Sequence, residues 1–209
     1  KKNIKGSLKI SCDGGASSGK TTGAKIIAKK YKLKFLSSGL LYRYAGYLIL
    51  KYNPKNKTSF LKNRIKKVNL KTLEKLDLNT QIISEYTSKI AKIKKIRNIL
   101  KSYQVAFSKK NKRCIIEGRD IASKILAKSP KYDIAFYFKC NINVASFRRW
   151  LEIRKKVSLK QVKKSLLRRT LMDKKRKNSP LVRVKDAILI RTDRLTKKEV
   201  LLKMSKYIE

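Results

Sequence analysis

Residues 8–21 read Leu8-Lys9-Ile10-Ser11-Cys12-Asp13-Gly14-Gly15-Ala16-Ser17-Ser18-Gly19-Lys20-Thr21. Residues 8–12 are mostly apolar and predict a strand. From residue 20 onward Ala24, Ile27 and Ala28 fall on one face, which predicts a helix over 20–31. Between the two, Gly14, Gly15, Ala16, Ser17, Ser18, Gly19, Lys20 and Thr21 keep the spacing G-x-x-x-x-G-K-[ST]. After a strand and before a helix, that spacing makes a phosphate loop, because backbone N–H groups and the helix N-terminus converge on an anion. Lys20 would then reach the β- and γ-phosphates of a nucleoside triphosphate, and the Thr21 hydroxyl would sit on Mg²⁺. Without its flanking elements the same stretch would be a glycine-rich turn with a chance lysine.

Outward from this segment, strands and helices alternate, as they do in a parallel sheet covered on both faces. A short strand is predicted at 34–36. Ser37, Ser38 and Gly39 then offer hydroxyl caps for a helix through about 51. A polar loop containing Pro54 covers 53–58, short helices are expected over 59–80, and 81–109 is helical by periodicity with a break near 92–95. Further strands are predicted at 113–117, 133–139 and 187–191, and helices at 143–155, 158–174 and 196–208. With no internal repeat or low-complexity linker, one domain over 1–209 with a helical flap is expected.

The 209 residues, 42% of them hydrophobic, suffice for one α/β domain with a core. No apolar run approaches the ~20 residues of a membrane helix, and no N-terminal stretch resembles a signal peptide; a cytoplasmic protein without a membrane partner is expected. Cys12, Cys114 and Cys140 form no CxxC and read as reduced thiols at apolar strands. The chain has no histidine, which excludes Ser-His and Cys-His nucleophiles and His-ligated zinc. The formal charge of +44 invites a nucleic-acid reading. Basic residues nevertheless recur on every predicted helix, and 43 of the 57 are Lys. Only weak, nonspecific polyanion binding is expected from that distribution.

Because Lys outnumbers Arg three to one, each Arg is a candidate for a place that needs a planar fork. Arg43, Arg97, Arg119, Arg148, Arg149, Arg169 and Arg176 fall near predicted strand ends or on the flap; taken singly, each would read as a surface arginine. With their neighbours they form an ordered series. Asp13-Gly14 runs into Gly19-Lys20, and Leu36-Ser37-Ser38-Gly39-Leu40-Leu41-Tyr42-Arg43 follows the second strand. Next come Ile96-Arg97 with Leu100 and Gln104, Glu117-Gly118-Arg119-Asp120, Arg169 with Asp173, Arg176 and Pro180-Leu181, and Asp186-Ala187-Ile188-Leu189. In order and approximate spacing, from residue 8 to about 208, this series resembles the bacterial cytidylate (CMP) kinase family.

The resemblance implies a three-layer α/β P-loop fold with a five-stranded parallel sheet, a helical lid over 148–177 and a shortened acceptor-binding insertion over 53–110. The family inserts a small β-module after the Tyr-Arg helix, whereas residues 53–80 here read as helical. The implied reaction is ATP- and Mg²⁺-dependent phosphorylation of CMP or dCMP by a monomer. By resemblance Ser38, Tyr42 and Arg43 line the CMP site, with Arg43 facing its phosphate. Ser88, Arg97 and Asp120 correspond to readers of the cytosine edge, and Arg119 to an arginine near the acceptor phosphate. Arg169, Asp173 and Arg176 resemble a flap group that contacts the acceptor on closure. Arg148 and Arg149 resemble lid arginines near ATP, beside the loop and Thr22. Lys20, Arg119, Arg169 and Arg176 are the expected catalytic cations. Two other readings stay open: a P-loop kinase for UMP or another small acceptor, and a basic ATP-binding protein associated with nucleic acid. The second has no use for the Ser38/Tyr42/Arg43 and Gly118-Arg119-Asp120 groups.

Overall fold

The run Leu8–Gly14 is buried along nearly its whole length, on both faces, as a central strand of a covered sheet must be. In the computed structural model, which describes residues 6–209 apart from the side chains of Lys71 and Glu74, it forms β1. Its parallel neighbours are β3 (Arg113–Gly118) and β4 (Ile134–Lys139). With β2 (Lys34–Ser37) and β5 (Ile188–Arg191) the five-stranded parallel sheet runs β2-β3-β1-β4-β5. Leu8 lies opposite Arg113 and Cys12 opposite Glu117, while Gly14 lies opposite Phe138. This register lines up the carboxyl ends of the three central strands, where ligands bind in sheets of this kind.

The period-2 alternation of β4 divides the layers. Phe136 and Phe138 enter the main core with Ala24, Ile27 and Ala28 of α1 (Lys20–Lys30) and Val200 and Met204 of α9 (Lys197–Ser205). Ala135 and Tyr137 instead join Ala122 and Ala187 in a second cluster. Helices α7 (Ile142–Glu152) and α8 (Leu159–Lys174) pack on each other through Ala145, Val162 and Leu166, and Ala16 of the phosphate loop touches that cluster.

By its contacts the chain divides into two compact units, one of residues up to Phe35 together with Asn111–Glu209, the other Leu36–Lys110. Among its described residues the second unit, beyond the end of β2, has helices as its regular elements: α2 (Ser38–Tyr52), α3 (Lys57–Lys66), α4 (Leu70–Lys75), α5 (Gln81–Ile90) and α6 (Lys94–Lys110). Ser37, Asn56 and Thr80 cap three of these helices through side-chain oxygens. The unit has its own core around Leu41, Leu61, Ile65, Ile90 and Leu100.

The helix expected over 143–155 ends at Glu152, because Arg154 and Lys155 take positive φ. The Lys155 amide turns back to the Trp150 carbonyl, and the Trp150 indole N–H donates to Val157 at 2.9 Å, closing a tight link into α8. One element has no counterpart in the sequence reading. A π-helical turn spans Ile121–Ile125, with the Leu126 amide bonded to the Ile121 carbonyl at 2.7 Å.

Candidate active site

Two local constraints build the phosphate loop. A Cβ on Gly14 would sit 2.5 Å from the Phe138 carbonyl oxygen, so the chain can pass β4 only as glycine. Gly19, at φ +83°, is the residue before α1, and no side chain caps the helix. No acid stands in the first turn either, so the N-terminus of α1 is left open to an anion. Ser17 holds φ +53°, a left-handed conformation that disfavours a side chain. Thr192, just after β5, braces the loop from behind. Its hydroxyl donates to the Ser18 carbonyl at 2.9 Å, and its side chain lies against Gly19.

Lys20 is 6% exposed. Its ammonium donates to the Gly15 carbonyl at 3.1 Å and lies 3.8 Å from the Glu117 carboxylate at the end of β3. Burial pulls its pKa from 10.5 to about 7, helped by the positive charges of Arg119 and Arg169 and opposed by Glu117 and Asp173. Thr21 is half-buried and Thr22 exposed, both on the first turn of α1.

Arg119, Arg169, Asp173 and Arg176 form one charged group. The Arg119 Nε donates to Asp173 Oδ2 at 2.8 Å, and the Arg176 guanidinium lies 3.6 Å from Asp173 Oδ1. Burial would raise the Asp173 pKa, but Arg119, Arg176 and Arg169 outweigh it and hold the carboxyl below its ordinary value. Lys20, Arg119, Arg169 and Arg176 thus share the fields of Glu117 and Asp173, leaving positive charge in excess at the mouth of the loop. Asp120 is buried directly before the π-turn.

Arg148 and Arg149 have different partners. Arg148 donates to the Thr192 hydroxyl at 3.2 Å and to the Thr192 carbonyl at 2.7 Å, so it reaches the loop through Thr192. Arg149 donates to Glu152 of its own helix at 3.1 Å.

In the helical unit, Ser38, Tyr42 and Arg43 lie on the first turns of α2. The buried Arg97 stacks over the Tyr42 ring at 5.4 Å and donates to the Ala91 carbonyl. Arg43 donates to the Ser84 hydroxyl at 2.8 Å and the Leu78 carbonyl at 3.0 Å. Ser88 donates to the Ser84 carbonyl one turn back. Asp13, Glu117 as a partner of Lys20, and Thr192 had not been singled out as functional. An acid inside an otherwise apolar strand is a readable signal for the first two; Thr192 carries none.

The family model described as Cytidylate kinase matches residues 10–209. A cytidylate kinase of Rickettsia conorii is 32% identical over 203 residues, covering 96% of this chain and 91% of its own. One of Clostridium botulinum is 34% identical over 218 residues, covering 97% and 98%. Among solved structures, a shikimate kinase from Bacteroides thetaiotaomicron has a TM-score of 0.52 at 10% identity, over 96% of this chain and 98% of that one. At that identity it shares the fold. Matched from β1 to its last residue, the chain belongs to the cytidylate kinase family.

Proposed function

We propose that the protein transfers the γ-phosphoryl group of ATP to the phosphate of CMP or dCMP. The observation that carries the reading is the gathering of Lys20, Arg119, Arg169 and Arg176 at the mouth of the phosphate loop, around Glu117 and Asp173. An acceptor phosphate oxygen attacks the γ-phosphorus, the bond to the β-phosphate oxygen breaks, and ADP leaves. The acceptor is already ionised, so no general base is needed, and a chain without histidine can perform the step. Lys20 neutralises charge on the β- and γ-oxygens. Arg119, Arg169 and Arg176 hold the acceptor phosphate and the transferring group in line.

Among the described residues no group of three His, Cys, Asp or Glu could cage a metal. Mg²⁺ needs none here, since it keeps its waters and takes phosphate oxygens. The Thr21 hydroxyl on the first turn of α1 fits as its protein ligand, and the ion when bound neutralises the β- and γ-phosphates.

Ser38, Tyr42 and Arg43 are the proposed acceptor contacts on α2, and Ser88, Arg97 and Asp120 the readers of cytosine. Asp120 accepts from N4, and Arg97 donates toward N3 or O2. Against uracil, Asp120 would face O4, two acceptors in one dry site, at about 1–3 kcal/mol. Discrimination of ~10- to 10²-fold for CMP follows. ADP release against a panel of monophosphates, with and without added RNA, tests the reading. CMP should lead without any need for RNA, and Asp120→Ala should erode the CMP:UMP ratio. Equal use of UMP, with a ratio unmoved by the substitution, would remove the cytidylate assignment and leave the kinase. Obligatory stimulation by RNA would favour the nucleic-acid reading.

A further inference from the structure

Asp13 is the last residue but one of β1, directly before the phosphate loop, and is 3% exposed. Both of its carboxylate oxygens are used. Oδ1 accepts the Ile121 N–H and Oδ2 the Ala122 N–H, each at 2.8 Å. Those amides open the π-helical turn that immediately follows Gly118, Arg119 and Asp120. One side chain therefore ties the entrance of the ATP loop to the backbone that carries the proposed acceptor groups.

Stability alone does not account for an acid here. A buried carboxylate loses its hydration, and an apolar residue of similar size would be easier to bury. Two consecutive N–H groups demand two acceptors in one plane, which a carboxylate supplies and a neutral amide does not: asparagine would set an NH₂ against one of the donors. π-turns interrupt regular helices mostly at functional sites, and this one begins where Arg119 and Asp120 end.

We infer that Asp13 is a positioning residue, whose carboxylate sets the placement of Arg119 and Asp120 relative to the phosphate loop. The inference rests on the acceptor role proposed for those two residues. Burial raises the Asp13 pKa from 3.8 to about 7 against the pull of the two amides, with Asp120 adding to the rise and Arg119 opposing it. Tyr137 on β4, Tyr132 just before it and Cys12 beside it on β1 also feel its charge. Protonation turns one acceptor into an O–H, so one amide bond weakens as pH falls through about 7.

The test is steady-state kinetics for CMP at saturating ATP across pH 6 to 8.5, for wild type, Asp13→Asn, Arg119→Ala and the double variant. At pH 8, Asp13→Asn is expected to lower kcat/KM for CMP at least ~10-fold through displacement of the acceptor groups. The Kd of a non-hydrolysable ATP analogue should change less than about twofold. The double variant should lose clearly less than the sum of the two single losses, on a logarithmic scale. The ratio of wild type to Asp13→Asn should narrow below pH 7, a comparison in which the titration of CMP itself cancels. Equal losses for ATP and CMP, additivity with Arg119→Ala, or a pH-independent ratio would overturn the inference. Should Asp13→Asn fail to fold, the wild-type amide resonances of Ile121 and Ala122 decide: both should titrate together near pH 7, and an absence of titration refutes the anchor. That readout needs no substrate, so it separates failure of the anchor from failure of the CMP assignment.

Discussion

ATP binding above neutral pH should draw a proton from solution onto Lys20. The side chain titrates near pH 7 in the nucleotide-free protein because it is buried with Arg119 and Arg169 close by. At pH 8 only about a tenth of the molecules carry the ammonium, and at pH 6 about nine-tenths do. A triphosphate in the loop restores the charged form, since its oxygens stabilise an ammonium at hydrogen-bond distance. Binding at pH 8 should therefore take up about 0.9 proton, and affinity should fall about ninefold from pH 8 to pH 9, or ~1.3 kcal/mol. At pH 8 the phosphates of ATP are themselves fully ionised and have no proton to give up. Isothermal titration calorimetry with a non-hydrolysable analogue, in two buffers of different ionisation heat, reads the proton count directly. Lys20→Met supplies the control, with Asp13 left in place. An uptake near zero in the wild type at pH 8, or the same uptake in Lys20→Met, would refute the reasoning.

Lys20→Ala should reduce turnover by ~10³-fold for every acceptor alike, measured as ADP formation, because it removes charge stabilisation at the transferring group; near-normal turnover would take ATP away from this loop. Ser17→Gly should stabilise the nucleotide-free protein by about 0.5–1 kcal/mol. Relief of the left-handed backbone, ~1–2 kcal/mol, exceeds the added unfolded-state entropy of glycine, ~0.5–1 kcal/mol; an unchanged or lower denaturation midpoint would contradict this. Hydrogen exchange over 148–176 should slow when ATP and CMP analogues bind together, as a lid closes over the phosphate loop; protection elsewhere with none in this segment would argue against closure.

The sheet was readable because its strands are apolar runs that only a buried parallel arrangement can use. Residues 8–12 and 113–117 differ from the observed strands by one or two residues at an end. The break expected near 92–95 is present, α5 ending at Ile90 and α6 starting at Lys94. The π-turn was not readable, since Ile121-Ala122-Ser123-Lys124-Ile125 suits several backbones and its geometry is set by Asp13, over a hundred positions away. In the site, Lys20 and the open helix N-terminus followed from the loop spacing together with the strand before it and the helix after it. The Arg169, Asp173 and Arg176 group came from resemblance, whereas the pairing of Arg119 with Asp173 did not, since no local pattern places the two side by side. Thr192 was invisible, because a threonine after a strand signals nothing until the loop it braces is known.

The pairing of β1 with β3 joins positions more than a hundred residues apart, with the whole 36–110 unit in between. Closing a flexible loop of that length costs about 4 kcal/mol in chain entropy beyond the constant term. The intervening unit has its own helices, caps and core, and so can collapse on contacts close in sequence before the sheet closes. Synthesis delivers the residues of the phosphate loop before those of that unit, yet both neighbours of their strand, and Thr192 behind it, emerge only after it. The phosphate loop thus matures late, and a nascent chain gains it only after its helical unit is complete.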